Sequence, residues 1–361
     1  MKKKNIIITV AIITIVFLIT FISIIGFYIY QTTPVDKNSN AFIEVVIPTG
    51  ASTKEISKIL KEKELIKNSD FFVFYLKLNK KNSLKATTYK LKKSMSLDEI
   101  ISILEKGNSY NPDEVKITFK EGINMRKMAK VIESNTNNSY ESVLSKLEDK
   151  TYIKTLIEKY WFLSDKVLNK NIYYPLEGFL FPDTYIFKNK DVTVEEIFNI
   201  MLDKMNEVLT PYKKDINKTN KDIFDIITMA SLVEQEGVKI EQRKDIASTF
   251  YNRLSKNMNL GSDVTTYYAI KVDMNERDLY AKEINTYNPY NTRGPHMEGK
   301  LPIGPICIVS KSSIEASIYP NDTDYLYFVA DKYKNVFFTK TYTEHTQKVQ
   351  EIKDKGDWIE W

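Results

Sequence analysis

The chain has 361 residues, 43% apolar and 27% charged, with a formal net charge of +5. Three lysines at the N-terminus supply much of that excess, and elsewhere lysines are interleaved with Asp and Glu, so there is no footprint for nucleic acid. A single cysteine, Cys307, excludes an intramolecular disulfide; one cysteine and two histidines are too few and too scattered for a His/Cys metal site, and no cofactor is expected.

Lys2, Lys3 and Lys4 precede an uncharged run over residues 6–30. At about 1.5 Å per residue this run crosses a hydrocarbon core of roughly 30 Å. The lysines predict a cytoplasmic tail and an exported remainder. A cleaved signal peptide is the rival, but the run is too long and no small-x-small site follows it. Residues 1–30 are therefore read as tail and transmembrane anchor of a single-pass cell-membrane protein. Residues 31–40, polar and carrying Pro34, are a linker. Without disulfides the exported part must rest on hydrophobic cores, and about 330 residues suffice for two.

Three strand–turn–helix units come next. Residues 42–47 alternate like a strand, Pro48-Thr-Gly50 turns, and residues 52–60 have helical spacing. Residues 88–91 with 96–104, and 115–119 with 124–132, repeat the plan. Each helix opens on a Ser or Asn able to cap it. Residues 41–135 are thus expected to form an α/β module, and such units resemble the LysM-like modules that bind glycan. The competing reading is a structural spacer.

Residues 136–361 are expected to form the second domain. Residues 139–171 look helical, with Tyr160-Trp-Phe162 as an apolar knot. Residues 175–187 hold prolines and glycine that prevent regular helix and aromatics that demand burial, so Glu177 and Asp183 fall on an irregular buried segment.

From Ile223 to Val233 apolar residues cover most of a helical wheel, which predicts a buried helix stopped by Gly237. A carboxylate at its end sits in low dielectric beside the negative end of the helix dipole, and both effects raise its pKa. That suits a general acid. Glu234 and Glu236 lie about 200° apart around the helix. Glu236 falls in line with Ile226, Met229, Leu232 and Val233 and is preferred on desolvation; the competing reading leaves both as charges fraying off a core helix.

Residues 241–254 read as an amphipathic helix with Phe250 and Leu254 inward. Residues 263–268 are polar and rich in Thr and Tyr. Residues 287–294 and 299–306 are Pro/Gly/Asn-rich turns, whose tyrosines and amides are expected to be exposed and to suit a sugar groove. Residues 325–330 and 336–339 alternate like a hairpin, and His345 is most simply a surface or capping residue.

Seven segments carry a family resemblance in order: Leu176-Glu-Gly-Phe-Leu-Phe-Pro-Asp-Thr-Tyr185, Ala230-Ser-Leu-Val-Glu-Gln-Glu236, Phe250-Tyr-Asn-Arg-Leu254, Pro289-Tyr-Asn-Thr292, Leu301-Pro-Ile-Gly-Pro-Ile306, Tyr325-Leu-Tyr-Phe-Val-Ala330 and Glu344-His345. With the N-terminal anchor, the chain resembles the membrane-anchored YceG-like family of endolytic murein transglycosylases. Gly237, Gly261-Ser-Asp263 and Ile303 depart from the family pattern.

The resemblance implies an α+β fold: one transmembrane helix, a LysM-like α/β module, then a mostly helical lysozyme-like catalytic domain with a small β-hairpin region. It implies that Glu236 is catalytic and cleaves the MurNAc–GlcNAc bond of nascent peptidoglycan, leaving 1,6-anhydroMurNAc ends and terminating elongation. Glu177, Asp263, Tyr290, Asn291 and Thr292 are the candidate substrate contacts. Peptidoglycan strands are the expected partner, with peptidoglycan synthases or division and elongation complexes as candidate protein partners. The alternatives are a non-catalytic wall-binding scaffold, or a hydrolytic muramidase using Glu236 with Glu177 or Asp263.

Overall fold

The computed structural model describes residues 2–81, 83–107, 113–237 and 239–358. Its helices and short strands make an α+β fold, and the chain divides into two compact units, Met1–Asp113 and Glu114–Trp361.

In the first unit α1 (Lys2–Thr32) holds the stretch Ile13–Thr32, which is long and apolar enough to cross a membrane. Its C-terminal end is tied down locally. Phe27 and Tyr28 meet the Phe71 ring edge-on at 5.8 and 5.7 Å, and Lys67 Nζ donates to the Tyr30 carbonyl at 2.6 Å. The order that follows is β1 (Phe42–Val46), α2 (Thr53–Glu62), α3 (Ser69–Leu78), β2 (Thr88–Lys92) and α4 (Leu97–Lys106). β1 and β2 pair antiparallel, with Phe42 opposite Lys92 and Val46 opposite Thr88. Ser52 and Ser96 close capping boxes with Glu55 and Glu99, as their spacing predicts. Val45, Leu60, Phe72, Tyr89, Leu91 and Ile100 form the core. The pattern is not a plain repeat, because α3 stands between the first two units; Asn68 caps it, and Phe71, Phe72, Tyr75 and Leu76 bury one of its faces.

The second unit begins with β3 (Val115–Thr118) and α5 (Met125–Asn135), which Asn124 caps as expected. β3 pairs antiparallel with β4 (Thr184–Phe187), Thr118 opposite Thr184. The third strand–helix pair, placed by its pattern with the two before it, therefore belongs to the second unit, and the first ends at Asp113 rather than 135. α6 (Tyr140–Glu148), α7 (Lys150–Lys159), α8 (Val194–Leu209) and α9 (Lys213–Lys218) follow around β4, with Tyr160, Phe162, Phe179 and Leu180 in the core.

The remaining elements are α10 (Ile223–Glu236), α11 (Arg243–Ser255), α12 (Asp263–Ile270), α13 (Ala281–Ile284) and α14 (Lys311–Ile318), then the hairpin of β5 (Tyr327–Ala330) and β6 (Val336–Thr339), and α15 (Tyr342–Asp354). α10 packs against α11, α12 and α14. Ile226, Ile227 and Ala230 on one side join the core around β4, while Met229, Leu232 and Val233 on the other join Phe250, Leu260 and Tyr290.

Candidate active site

α10 fixes the site. Asp222 caps it, accepting from the Phe224 amide at 2.8 Å, and its residues 226–233 are all buried. A helix packed this way cannot shift its end without disturbing both cores. Gly237 ends it where there is no room: a Cβ there would lie 2.7 Å from the Val233 carbonyl oxygen and 2.8 Å from Arg243 Cγ. Close approach requires this glycine, since its φ of −94° is open to any residue.

The last three residues of α10 point three ways. Glu234 accepts from Arg243 Nη2 at 3.0 Å and from the Ser310 amide at 2.9 Å, and the side chains of the ion pair are only 5% and 7% exposed. It clamps α10 to α11 and to the start of α14. Gln235 Nε2 donates to the Gly122 carbonyl at 2.7 Å. Glu236 faces a cleft of ≈ 360 Å³ whose polar walls are Arg253, Ser262, Asp263 and His345, with Trp358 and the strands β5 and β6 contributing apolar surface.

Ser262 Oγ donates to Glu236 Oε1 at 2.6 Å. Burial holds the Glu236 carboxyl above the usual range; the Ser262 hydrogen bond opposes this, the Asp263 charge adds to it, and Arg253 counters it. Ser262 is itself fixed. Its amide donates to Thr292 Oγ1 at 3.1 Å, and its carbonyl accepts from Thr265 Oγ1 at 2.6 Å. Arg253 Nη1 donates to the Leu260 carbonyl at 2.6 Å. Of the two glutamates at the end of α10, Glu234 is closed off by Arg243 and Glu236 faces the cleft. Such a group can give a proton and take one back.

Residues 45–351 match the model of the YceG-like family. The chain belongs to the YceG-like family. It is 37% identical over 326 residues to an endolytic murein transglycosylase of Bacillus subtilis, a match covering 90% of this chain and 89% of that protein. It is 34% identical over 345 residues to one of Streptococcus pneumoniae, covering 90% of this chain but 62% of that longer protein. A crystal structure of a YceG-like protein from Listeria monocytogenes shares its fold, with a TM-score of 0.61 and 36% identity over 85% of this chain and 99% of the other.

The residues expected at this YceG-like site divide. Asp263, the first residue of α12, lines the cleft with Glu236, and its half-exposed carboxylate pairs with Arg293. Glu177 is 1% exposed and does not line the cleft. It accepts from the Met125 amide at 3.0 Å and from the Tyr268 hydroxyl at 2.9 Å, and burial pushes its carboxyl up to about 7 against those two bonds.

The expected exposure of Tyr290, Asn291 and Thr292 is not found: they are 0%, 1% and 0% exposed. Tyr290 packs between Tyr173 and Tyr268 at 4.7 and 4.9 Å. Asn291 Nδ2 donates to the carbonyls of Ile284 and Thr286, and its Oδ1 accepts from Thr266. An internally satisfied turn can be buried, which the polarity of the segment hides. These residues brace the wall behind Ser262.

Ser262 and Arg253 drew no individual role from the sequence, although both fall in segments compared with the family. His345, expected at the surface, lines the cleft with its ring stacked on Tyr327 at 5.4 Å, while Glu344 beside it makes the capping box with Thr341. The Glu344-His345 pair was the available signal.

Proposed function

We propose that this protein is an endolytic lytic transglycosylase that cuts the MurNAc–GlcNAc bond of nascent peptidoglycan, with Glu236 as its acid and then its base. The observation that carries this is the division of labour at the end of α10: Glu234 is consumed by Arg243, and Glu236 reaches the cleft in surroundings that favour its protonated form. Protonated Glu236 donates to the glycosidic oxygen as the bond to C1 of muramic acid breaks. The acetamido group of that sugar stabilises the oxocarbenium-like centre. The Glu236 carboxylate then takes the proton of the 6-hydroxyl as its oxygen bonds C1. The products are a 1,6-anhydro end and a free GlcNAc hydroxyl, the acid is regenerated, and no water is consumed.

Hydrolysis is the rival, because Asp263 lines the same cleft and a second carboxylate is what a muramidase needs. Its pairing with Arg293 supports an electrostatic rather than a nucleophilic role. Digestion of glycan strands by the detergent-solubilised full chain in heavy-oxygen water separates the two. Anhydromuramic ends free of label are expected, and labelled reducing ends would assign hydrolysis.

The strand–helix–helix–strand order of β1, α2, α3 and β2 supports a LysM-like module that holds glycan, and the buried helix ending in Glu236 supports a lysozyme-like catalytic domain. α1 would anchor the enzyme with Lys2–Lys4 inside, beside new strands and the synthases or division and elongation complexes that make them.

A further inference from the structure

Next to the catalytic cleft lies a second hollow of ≈ 180 Å³, and the two share Val264 and Met274 as walls. The end of α10 addresses both: Glu236 faces the first, Gln235 the second. The character changes between them. Both have aromatic walls, Phe250, Phe328 and Trp358 in the cleft and Tyr267 and Tyr268 in the second hollow, but the second hollow adds the amides of Asn124, Gln235 and Asn275 together with Lys127 and Asp273. The Asn275 side chain is exposed and makes no hydrogen bond among the described residues. Asn124 spends its Oδ1 on the Lys127 amide, which leaves its Nδ2 without a partner there. Asp273 receives two cations, Lys127 at 3.1 Å and Arg126 at 3.7 Å, so these three charges sum to one positive.

We infer that this second hollow seats the stem peptide of the muramic acid being cleaved, a ligand that carries amides and free carboxylates. The inference rests on the transglycosylase reading. The peptide hangs from the oxygen on C3 of the same ring whose C1–O bond is broken, two ring carbons from the reacting centre. A site adjoining the Glu236 cleft is therefore where its first residues fall. Lys127 pairs with a peptide carboxylate, and Asn124 and Asn275 take up the backbone amides that a bare glycan lacks. Specificity of this kind comes from polar groups left unpaired when the wrong substrate binds.

The test uses the full chain and two un-cross-linked substrates, strands carrying stem peptides and the same strands stripped of them by an amidase. Lys127→Glu reverses the charge at the third position of α5, where an acidic residue suits the helix N-terminus but loses the pairing with Asp273, so a melting curve checks that folding is kept. Asn275→Ala removes only an exposed amide. The wild type is expected to prefer the peptide-bearing strand, and Lys127→Glu to cut that kcat/KM ratio by about tenfold, chiefly through KM, with a smaller cut for Asn275→Ala. If the wild type cuts only the peptide-bearing strand, a raised KM for Lys127→Glu on that strand supports the site and an unchanged KM overturns it. A ratio that stays the same, whether both rates fall or neither does, also overturns it. Absence of cleavage of either strand by the wild type would instead remove the transglycosylase reading, and this site with it.

Discussion

Ser262 Oγ donates to Glu236 Oε1 at 2.6 Å, and among the described residues this is the one hydrogen bond the Glu236 carboxyl receives. A donor favours the ionised form, so Ser262 tempers a pKa that burial raises. Ser262 is in turn positioned by Thr292 and Thr265, side chains from the buried turn and from α12. The acidity of the site is thus tuned by a cleft-wall serine that buried threonines hold in place.

Ser262→Ala should raise the Glu236 pKa further. Activity needs the protonated acid, so the falling limb of kcat/KM against pH moves to higher pH, and the maximum drops as the carboxyl loses its positioning. A limb that stays in place or moves to lower pH would show that Ser262 does not tune Glu236.

Glu234 and Glu236 should separate by stability. Glu234→Ala leaves the Arg243 guanidinium buried without its counter-charge, which costs about 3–5 kcal/mol when a buried pair is broken. Thermal or urea unfolding measures it. A loss below about 1 kcal/mol would place this pair with weak surface bridges.

Much of the frame was legible because local signals agreed with tertiary packing. Ser52, Ser96 and Asn124 cap where their spacing says, and the wheel of residues 223–233 gives the buried helix. What stayed hidden depends on distant pairing. β3 joins β4 rather than the strands its pattern resembles, because the partner of Thr118 lies 66 residues on at Thr184. Arg253, Ser262 and His345 reach one cleft from three elements, and nothing in their local spacing records that. The turn at Pro289-Tyr-Asn-Thr292 reads as surface from its polarity, yet Asn291 satisfies it from within.

Glu177 gives a pH dependence of stability. Its folded pKa stands at about 7 against an ordinary 4.5. Between these values the folded chain keeps a proton that the unfolded chain has released, so stability is full below 4.5 and falls as pH rises through 7. The loss is on the order of 3 kcal/mol at most. Glu177→Gln should flatten this part of the stability–pH curve. An unchanged slope would assign the dependence to other groups.

The central claim is that Glu236 is the proton donor and acceptor of glycan cleavage. Its most direct test is the turnover of peptidoglycan strands by full-length Glu236→Gln, which keeps the shape and the contact with Ser262 but has no titratable proton. Cleavage should fall by at least ~10²-fold with an unchanged melting temperature. Turnover near that of the wild type from a folded variant would contradict the account.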